Sequence, residues 1–141
     1  MSRFVLDASV ALAWAVDDPE PENARRIRES FLRGHKAIVP SLWILEVANG
    51  LVLAERRGKL DAIEVEHARQ LYERMMTAYV EIQTDQLQAD FRGIQELARK
   101  YQMTAYDAAY LLLALQRRIP LATLDSSLIA AAKKSGVTVL P

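Results

Sequence analysis

Short, uninterrupted apolar runs alternate along this chain with longer stretches of helical period, and the alternation predicts an α/β domain. Phe4-Val5-Leu6, closed by Asp7, reads as a buried strand over residues 3 to 7, and Ala8 to Trp14 as a helix that breaks at Asp17-Asp18-Pro19. A polar helix is expected from about Glu20 to Phe31, then a loop at Gly34-His35-Lys36 and a brief strand at Ala37-Ile38-Val39. Pro40 suits the first position of a long helix running to about Arg57, with Gly58 ending it. Asp61 can cap a helix to about Met76, Val80-Glu81-Ile82 forms a small strand, and Thr84 or Asp85 can cap a helix ending near Tyr101. Another helix spans Ala105 to Arg117. A strand over 120–124, a helix over 126–134 and a strand at Val137-Thr138-Val139 complete the chain, with Gly136 as C-cap between the last two. Short strands joined by helical crossovers imply a parallel sheet flanked by helices, with right-handed connections.

Four acids interrupt this apolar pattern. Asp7 and Asp125 each end a predicted strand, the carboxyl edge where open parallel sheets carry their sites. Glu46 lies inside Leu42-Trp43-Ile44-Leu45-Glu46-Val47-Ala48, and Asp107 precedes Ala108-Ala109-Tyr110-Leu111-Leu112-Leu113, both read as largely buried helices. A buried charge is normally paired or bound to metal. Each acid also has a purely structural reading. Asp7 and Asp125 can be helix N-caps, Asp107 can complete a capping box begun by Thr104, and Glu46 can pair with an Arg from another element. The case for a site rests on the set, since four separate accidents are a weaker explanation than one shared cause.

Three further residues can support such a site. Ser9 can donate into the pocket or sit in the first helical turn; Asn49 is one turn beyond Glu46 on the same face, or else bonds between helices. Thr123 shares a strand face with Asp125, unless it is only an ordinary β-branched strand residue.

Composition sets the outer bounds. A chain of 141 residues, 51% hydrophobic, supports one domain over 1–141 and is too short for two ordinary ones. With no Cys there is no disulfide, thiolate zinc site or Cys nucleophile. No signal peptide and no apolar run of membrane-spanning length are seen, so a soluble, cytoplasmic protein without membrane contact is expected. Eighteen basic residues balance 18 acidic ones, yet setting the four candidate acids aside leaves 14 acids against 18 bases, a surface that tolerates a polyanion.

The remaining chemistry narrows quickly. His35 lies in a polar loop and His67 in the charged segment Glu64-Val65-Glu66-His67-Ala68-Arg69, so a histidine acid–base pair is not expected. Neither a nucleophile elbow nor a phosphate-binding glycine loop is present. All-oxygen ligands suit Mg²⁺ or Mn²⁺, which can orient an attacking water and stabilise the leaving oxygen in phosphodiester cleavage.

The ordered segments Val5-Leu6-Asp7-Ala8-Ser9-Val10-Ala11-Leu12-Ala13-Trp14, Glu46-Val47-Ala48-Asn49-Gly50-Leu51 with Arg56-Arg57-Gly58-Lys59-Leu60, Thr104-Ala105-Tyr106-Asp107-Ala108-Ala109-Tyr110, Pro120-Leu121-Ala122-Thr123-Leu124-Asp125 and Gly136-Val137-Thr138-Val139 together resemble the PIN-domain nucleases, and within them the VapC-type toxins of toxin–antitoxin pairs. The resemblance covers nearly the whole chain. It implies a three-layer α/β/α fold that cleaves single-stranded or loop RNA with Mg²⁺ or Mn²⁺. It also implies a homodimer held by a cognate antitoxin, with DNA met only through that antitoxin. On this match Asp7 and Asp107 are direct metal ligands, Glu46 a ligand or water-positioning base, and Asp125 an outer or second-metal ligand. Ser9, Asn49 and Thr123 become supporting residues. Ser126-Ser127 lacks a further acid that some relatives carry, which puts a second metal in doubt.

Two rivals remain. A phosphatase of the haloacid dehalogenase type needs Asp-x-Asp after the first strand, where Ser9 stands instead, and a phospho-receiver needs an adjacent acidic pair that is missing. A non-catalytic PIN-like module that binds RNA or a partner keeps the fold without the reaction.

Overall fold

The computed structural model describes residues 2–84 and 87–141. In chain order the elements are β1 (Arg3–Leu6), α1 (Ala8–Val16), α2 (Glu22–Ser30) with a 3-10 turn at Phe31–Arg33, β2 (Lys36–Pro40), α3 (Leu42–Arg56), α4 (Ala62–Ala78), β3 (Val80–Gln83), α5 (Leu87–Tyr101), α6 (Ala105–Arg117), β4 (Leu121–Ala122) and α7 (Ser126–Lys134). Four parallel strands form one sheet in the order β3-β2-β1-β4, flanked by the seven α-helices of the described residues. The expected α/β class with a short parallel sheet is borne out.

Strand order explains where a site can form. From β1 the chain steps outward to β2 and then β3, and after α5 and α6 it returns to the other side of β1 as β4. The direction of winding therefore reverses between β1 and β4, and in open α/β sheets that reversal leaves a crevice at the carboxyl ends of the strands. Phe4, Val5 and Leu6 are essentially inaccessible, as a strand covered on both faces requires. The pairing Leu6↔Ala122 and the bond from the Asp7 amide to the Ala122 carbonyl, 2.9 Å, bring the ends of the two strands level.

The helices are held by specific contacts as well as by burial. Trp14 Nε1 donates to the Ala24 carbonyl at 2.8 Å, joining α1 to α2, and the Tyr72 hydroxyl donates to the Ala11 carbonyl, joining α4 to α1. A Cβ added at Gly50 would run into the Leu12 side chain, so glycine is what lets α3 approach α1 closely. Asp61 and Glu64 form the reciprocal capping box of α4, at 2.8 and 3.1 Å. Gly58 and Gly136 adopt φ of 73° and 83°, the left-handed conformation that ends a helix at little cost in glycine.

Several boundaries differ from expectation. Pro40 does not open α3; it closes β2, paired with Gln83, and Ser41 precedes the helix. The strand expected over 120–124 is cut to Leu121–Ala122 because its continuation finds side-chain partners. The Leu124 amide donates to Ser9 Oγ at 3.0 Å and the Asp125 amide to Thr123 Oγ1 at 3.0 Å, in place of a sheet ladder. The final strand contracts to a single bridge, Leu121↔Val139. The proposed cap at Asp85 lies outside the described residues.

Candidate active site

Asp7 is the most constrained of the four acids. It follows β1, is 5% exposed, and occupies the N-cap position of α1 without using its side chain as a cap. Its Oδ2 accepts instead from Ser9 Oγ at 2.6 Å and from Thr123 Oγ1 at 2.7 Å. Ser9 and Thr123 thereby tie the carboxylate to the segment leaving β4, since each hydroxyl also accepts a backbone amide from that segment. Thr123, an ordinary strand residue by sequence, is 2% exposed with its hydroxyl aimed at this carboxylate.

Asp107 enters from α6. Thr104 Oγ1 accepts the Asp107 amide at 3.1 Å, so Thr104 caps the helix and leaves the Asp107 carboxylate unused by any capping box. Glu46 enters from α3, half-buried, and accepts from the Tyr110 hydroxyl at 2.5 Å. Asp125 has both characters: its Oδ1 caps α7 by accepting the Leu128 amide at 2.9 Å, and its charge acts on Asp7 and Asp107.

Electrostatics bind the four into one group. Burial pushes the Asp107 carboxyl up to about 6, and the charges of Asp125, Asp7 and Glu46 push in the same direction, against a smaller opposing pull from the Thr104 hydroxyl. Asp7 is raised chiefly by burial, with its Ser9 and Thr123 bonds lowering it and Asp125 raising it. Glu46 is raised by burial too, opposed by Tyr110 and reinforced by Asp7. Asp107 thus feels all three of the others, and among the described residues none of the four has a cation as salt-bridge partner. The pairing of Glu46 with an Arg, its structural alternative, is absent from the described residues.

Two placements differ from the sequence reading. Asn49 is exposed and makes no hydrogen bond to Glu46 among the described residues; Glu46 turns instead toward α6 and Tyr110. Tyr110 itself was missed. It is fully buried one turn after Asp107, and a buried tyrosine hydroxyl needs a partner, which was the available signal. Neither histidine joins the group: His67 is exposed on α4 and His35 is partly exposed after the 3-10 turn.

The donor set is all oxygen. Among the described residues no three acidic or histidine side chains are gathered tightly enough to cage an ion unaided. Buried carboxylates whose charges act on one another without a cation nevertheless have the chemistry that a hard divalent ion relieves, and Mg²⁺ takes only one or two carboxylates directly while water fills its other positions. In kind, these oxygen donors suit such an ion, and Asp7, Glu46, Asp107 and Asp125 are the residues that could hold one.

A doubly flanked parallel sheet with carboxylates at its switch point defines an α/β protein, and the crevice beyond β1 and β4 is where such sheets carry their sites. The family model for the PIN domain matches residues 4–134, and the chain belongs to that family. PIN domains are generally nucleases and usually use divalent metals. Among solved structures, the crystal structure of PAE2754 from Pyrobaculum aerophilum is similar over 99% of this chain and 91% of that one, at a TM-score of 0.69 and 22% identity. FitAcB from Neisseria gonorrhoeae is similar over 98% of this chain and 96% of that one, at 0.64 and 18%. At these identities the likeness is one of fold. Comparison with the curated proteins gave no match. No helix of the described residues is long and apolar enough to cross a membrane.

Proposed function

We propose that this protein is a metal-dependent endoribonuclease acting as the toxin of a toxin–antitoxin pair. One observation carries the reading: Asp107 is raised first by burial and then by the charges of Asp125, Asp7 and Glu46, which reach it from three other elements. Nothing in the packing of the fold requires that concentration of like charge. A Mg²⁺ or Mn²⁺ ion bound there would neutralise it and supply the polarisation that phosphodiester hydrolysis needs. Asp7 and Asp107 would hold the ion, with Ser9 and Thr123 fixing the Asp7 carboxylate. Glu46 orients the attacking water and accepts its proton, while the Tyr110 hydroxyl holds its carboxylate in place. Asp125 contributes charge at the rim while capping α7.

The toxin role rests on the resemblance of the ordered segments to VapC-type proteins. With it come a single-domain homodimer, a cognate antitoxin, RNA as substrate and a cytoplasmic setting, with DNA reached only through the antitoxin. Incubation of RNA with the protein and Mg²⁺ or Mn²⁺ should give EDTA-sensitive cleavage that Asp7→Asn abolishes. Cleavage unchanged by Asp7→Asn would refute hydrolysis at this site. Binding of RNA without any metal-dependent cleavage would favour the non-catalytic PIN-like module, and hydrolysis of small phosphomonoesters alone would favour another phosphohydrolase. A neighbouring gene for a short protein with a DNA-binding half and an apolar, basic tail, whose product suppresses cleavage, tests the toxin role.

A further inference from the structure

One divalent ion offsets only part of the charge of four carboxylates, so cations elsewhere on the chain would help to retain a nucleic acid at this crevice. Most arginines that form ion pairs are occupied on α2 and α4, where Arg25, Arg26, Arg28 and Arg69 meet glutamates. The last turns of α5 and α7 are different. They carry Arg99 and Lys100, and Lys133 and Lys134, none of which forms a salt bridge among the described residues. A groove of about 290 Å³ separates these two helices, lined by Lys100, Tyr101, Gln102, Ser127, Ala130 and Lys134.

Both walls of the groove carry residues close in sequence to the acidic group. Ser127 lies two residues after Asp125, in the first turn of α7, and Gln102 lies two residues before Thr104, whose hydroxyl caps α6 at Asp107. Lys100 Nζ stands 5.4 Å from the centroid of the Tyr101 ring, a cation–π contact that orients the ammonium at one wall. Lys134 stands on the other. Placing lysines in the last turn of a helix also suits the helix dipole, but that accounts for each helix singly and not for Lys100 and Lys134 lining one groove.

We infer that the α5–α7 groove is an anchoring site for the sugar-phosphate backbone of single-stranded RNA, holding the strand beyond the carboxylate crevice through Lys100 and Lys134. The inference rests on the nuclease reading above and adds a second binding surface to it. The two lysines act as point charges on phosphate, while Gln102 and Ser127 offer neutral donors between them. Such interactions position the strand and carry no base preference.

The test measures binding of a fluorescent single-stranded RNA over a range of salt concentrations, by anisotropy, to Asp107→Asn protein with and without Lys100→Glu plus Lys134→Glu. The double substitution should weaken binding roughly tenfold. It should also make the slope of log affinity against log salt shallower by roughly 1.4, at about 0.7 for each phosphate no longer neutralised. Arg33→Glu plus Arg74→Glu, both outside the groove and equal in total charge change, is the control for general loss of positive charge. A loss and slope equal to those of the Arg33→Glu plus Arg74→Glu control would overturn the groove. Lys100→Gln plus Lys134→Gln gives the same readout without reversed charge should the first pair fail to fold. In the cleaving protein the same lysine changes should raise KM far more than they lower kcat. Failure of the nuclease reading looks different, because Asp107→Asn would then cut RNA as fast as the wild type, whereas absence of RNA binding would overturn the groove itself.

Discussion

Two populations of carboxylate on this protein face opposite circumstances. On α2 and α4, Glu22 and Glu29 embrace Arg25, and Glu66 and Glu73 embrace Arg69, in exposed pairs three and four residues apart. Those arginines hold Glu22 and Glu66 below the ordinary carboxylate range, chiefly through hydrogen bonds. In the crevice between β1 and β4, Asp7, Glu46 and Asp107 are buried or half-buried, have no cation in the described residues, and are all raised. The helix pairs are what a soluble surface makes of acidic residues. The crevice groups have no such partner among the described residues, and this contrast is the physical argument for the metal-dependent site proposed above.

The largest effect expected is on activity. Asp7→Asn or Asp107→Asn should reduce RNA cleavage to background while the far-ultraviolet circular dichroism of the protein stays unchanged, whereas Arg69→Ala, which breaks two helix pairs, should leave cleavage as it was. Loss of cleavage in Arg69→Ala would erase the distinction between the two populations. Next is Tyr110→Phe, which removes the donor that opposes the rise of Glu46. It should lower kcat roughly tenfold near neutral pH and move the acidic limb of the pH–rate profile upward, while a profile identical to wild type would remove Tyr110 from the site.

Stability against pH should separate the populations by sign. Asp107 has a folded value of about 6 against an ordinary 3.8, so the folded metal-free protein holds its proton more tightly than the unfolded chain does. Stability is then lost as pH rises from about 4 to about 6, and Asp107→Asn should abolish that loss. Glu22 and Glu66, depressed in the fold, contribute in the opposite sense: their stabilisation is present above the ordinary 4.5 and is lost as pH falls through their folded values. Melting in EDTA at several pH values should show the gap between Asp107→Asn and wild type widening from pH 4 to 6 and then holding constant. The smallest effect belongs to Arg69→Ala at pH 7, a fall in melting midpoint of no more than about 2 °C, because exposed pairs are well solvated when broken.

Much of this contrast was visible in the amino-acid order. Alternating apolar runs gave the parallel strands and their crossovers, and an acid at the end of an apolar strand or inside an apolar helix is conspicuous at Asp7, Glu46 and Asp107. Other features depend on contacts between distant segments. Thr123 supports Asp7 only because β4 lies beside β1, and the same hydroxyl bonds shorten β4, an outcome that strand propensity does not contain. Tyr110 meets Glu46 across 64 positions of sequence, while Asn49, its nearer rival in sequence, faces solvent. Pro40 fits the start of a helix and the end of a strand equally well by its φ angle, and the pairing with Gln83 decides the matter.

The central claim is that the crevice stores like-charge repulsion which a bound divalent ion relieves, and thermal unfolding of wild type and Asp107→Asn at pH 7, in EDTA and then in Mg²⁺, tests it most directly. The mutant should melt above wild type in EDTA, and Mg²⁺ at about 100 times its dissociation constant should stabilise the wild type by ~2.7 kcal/mol, a rise of roughly 10 °C, while shifting the mutant much less. A mutant that melts below wild type, with Mg²⁺ moving neither protein, would contradict the account and return Asp107 to the ordinary first-turn acid of a helix.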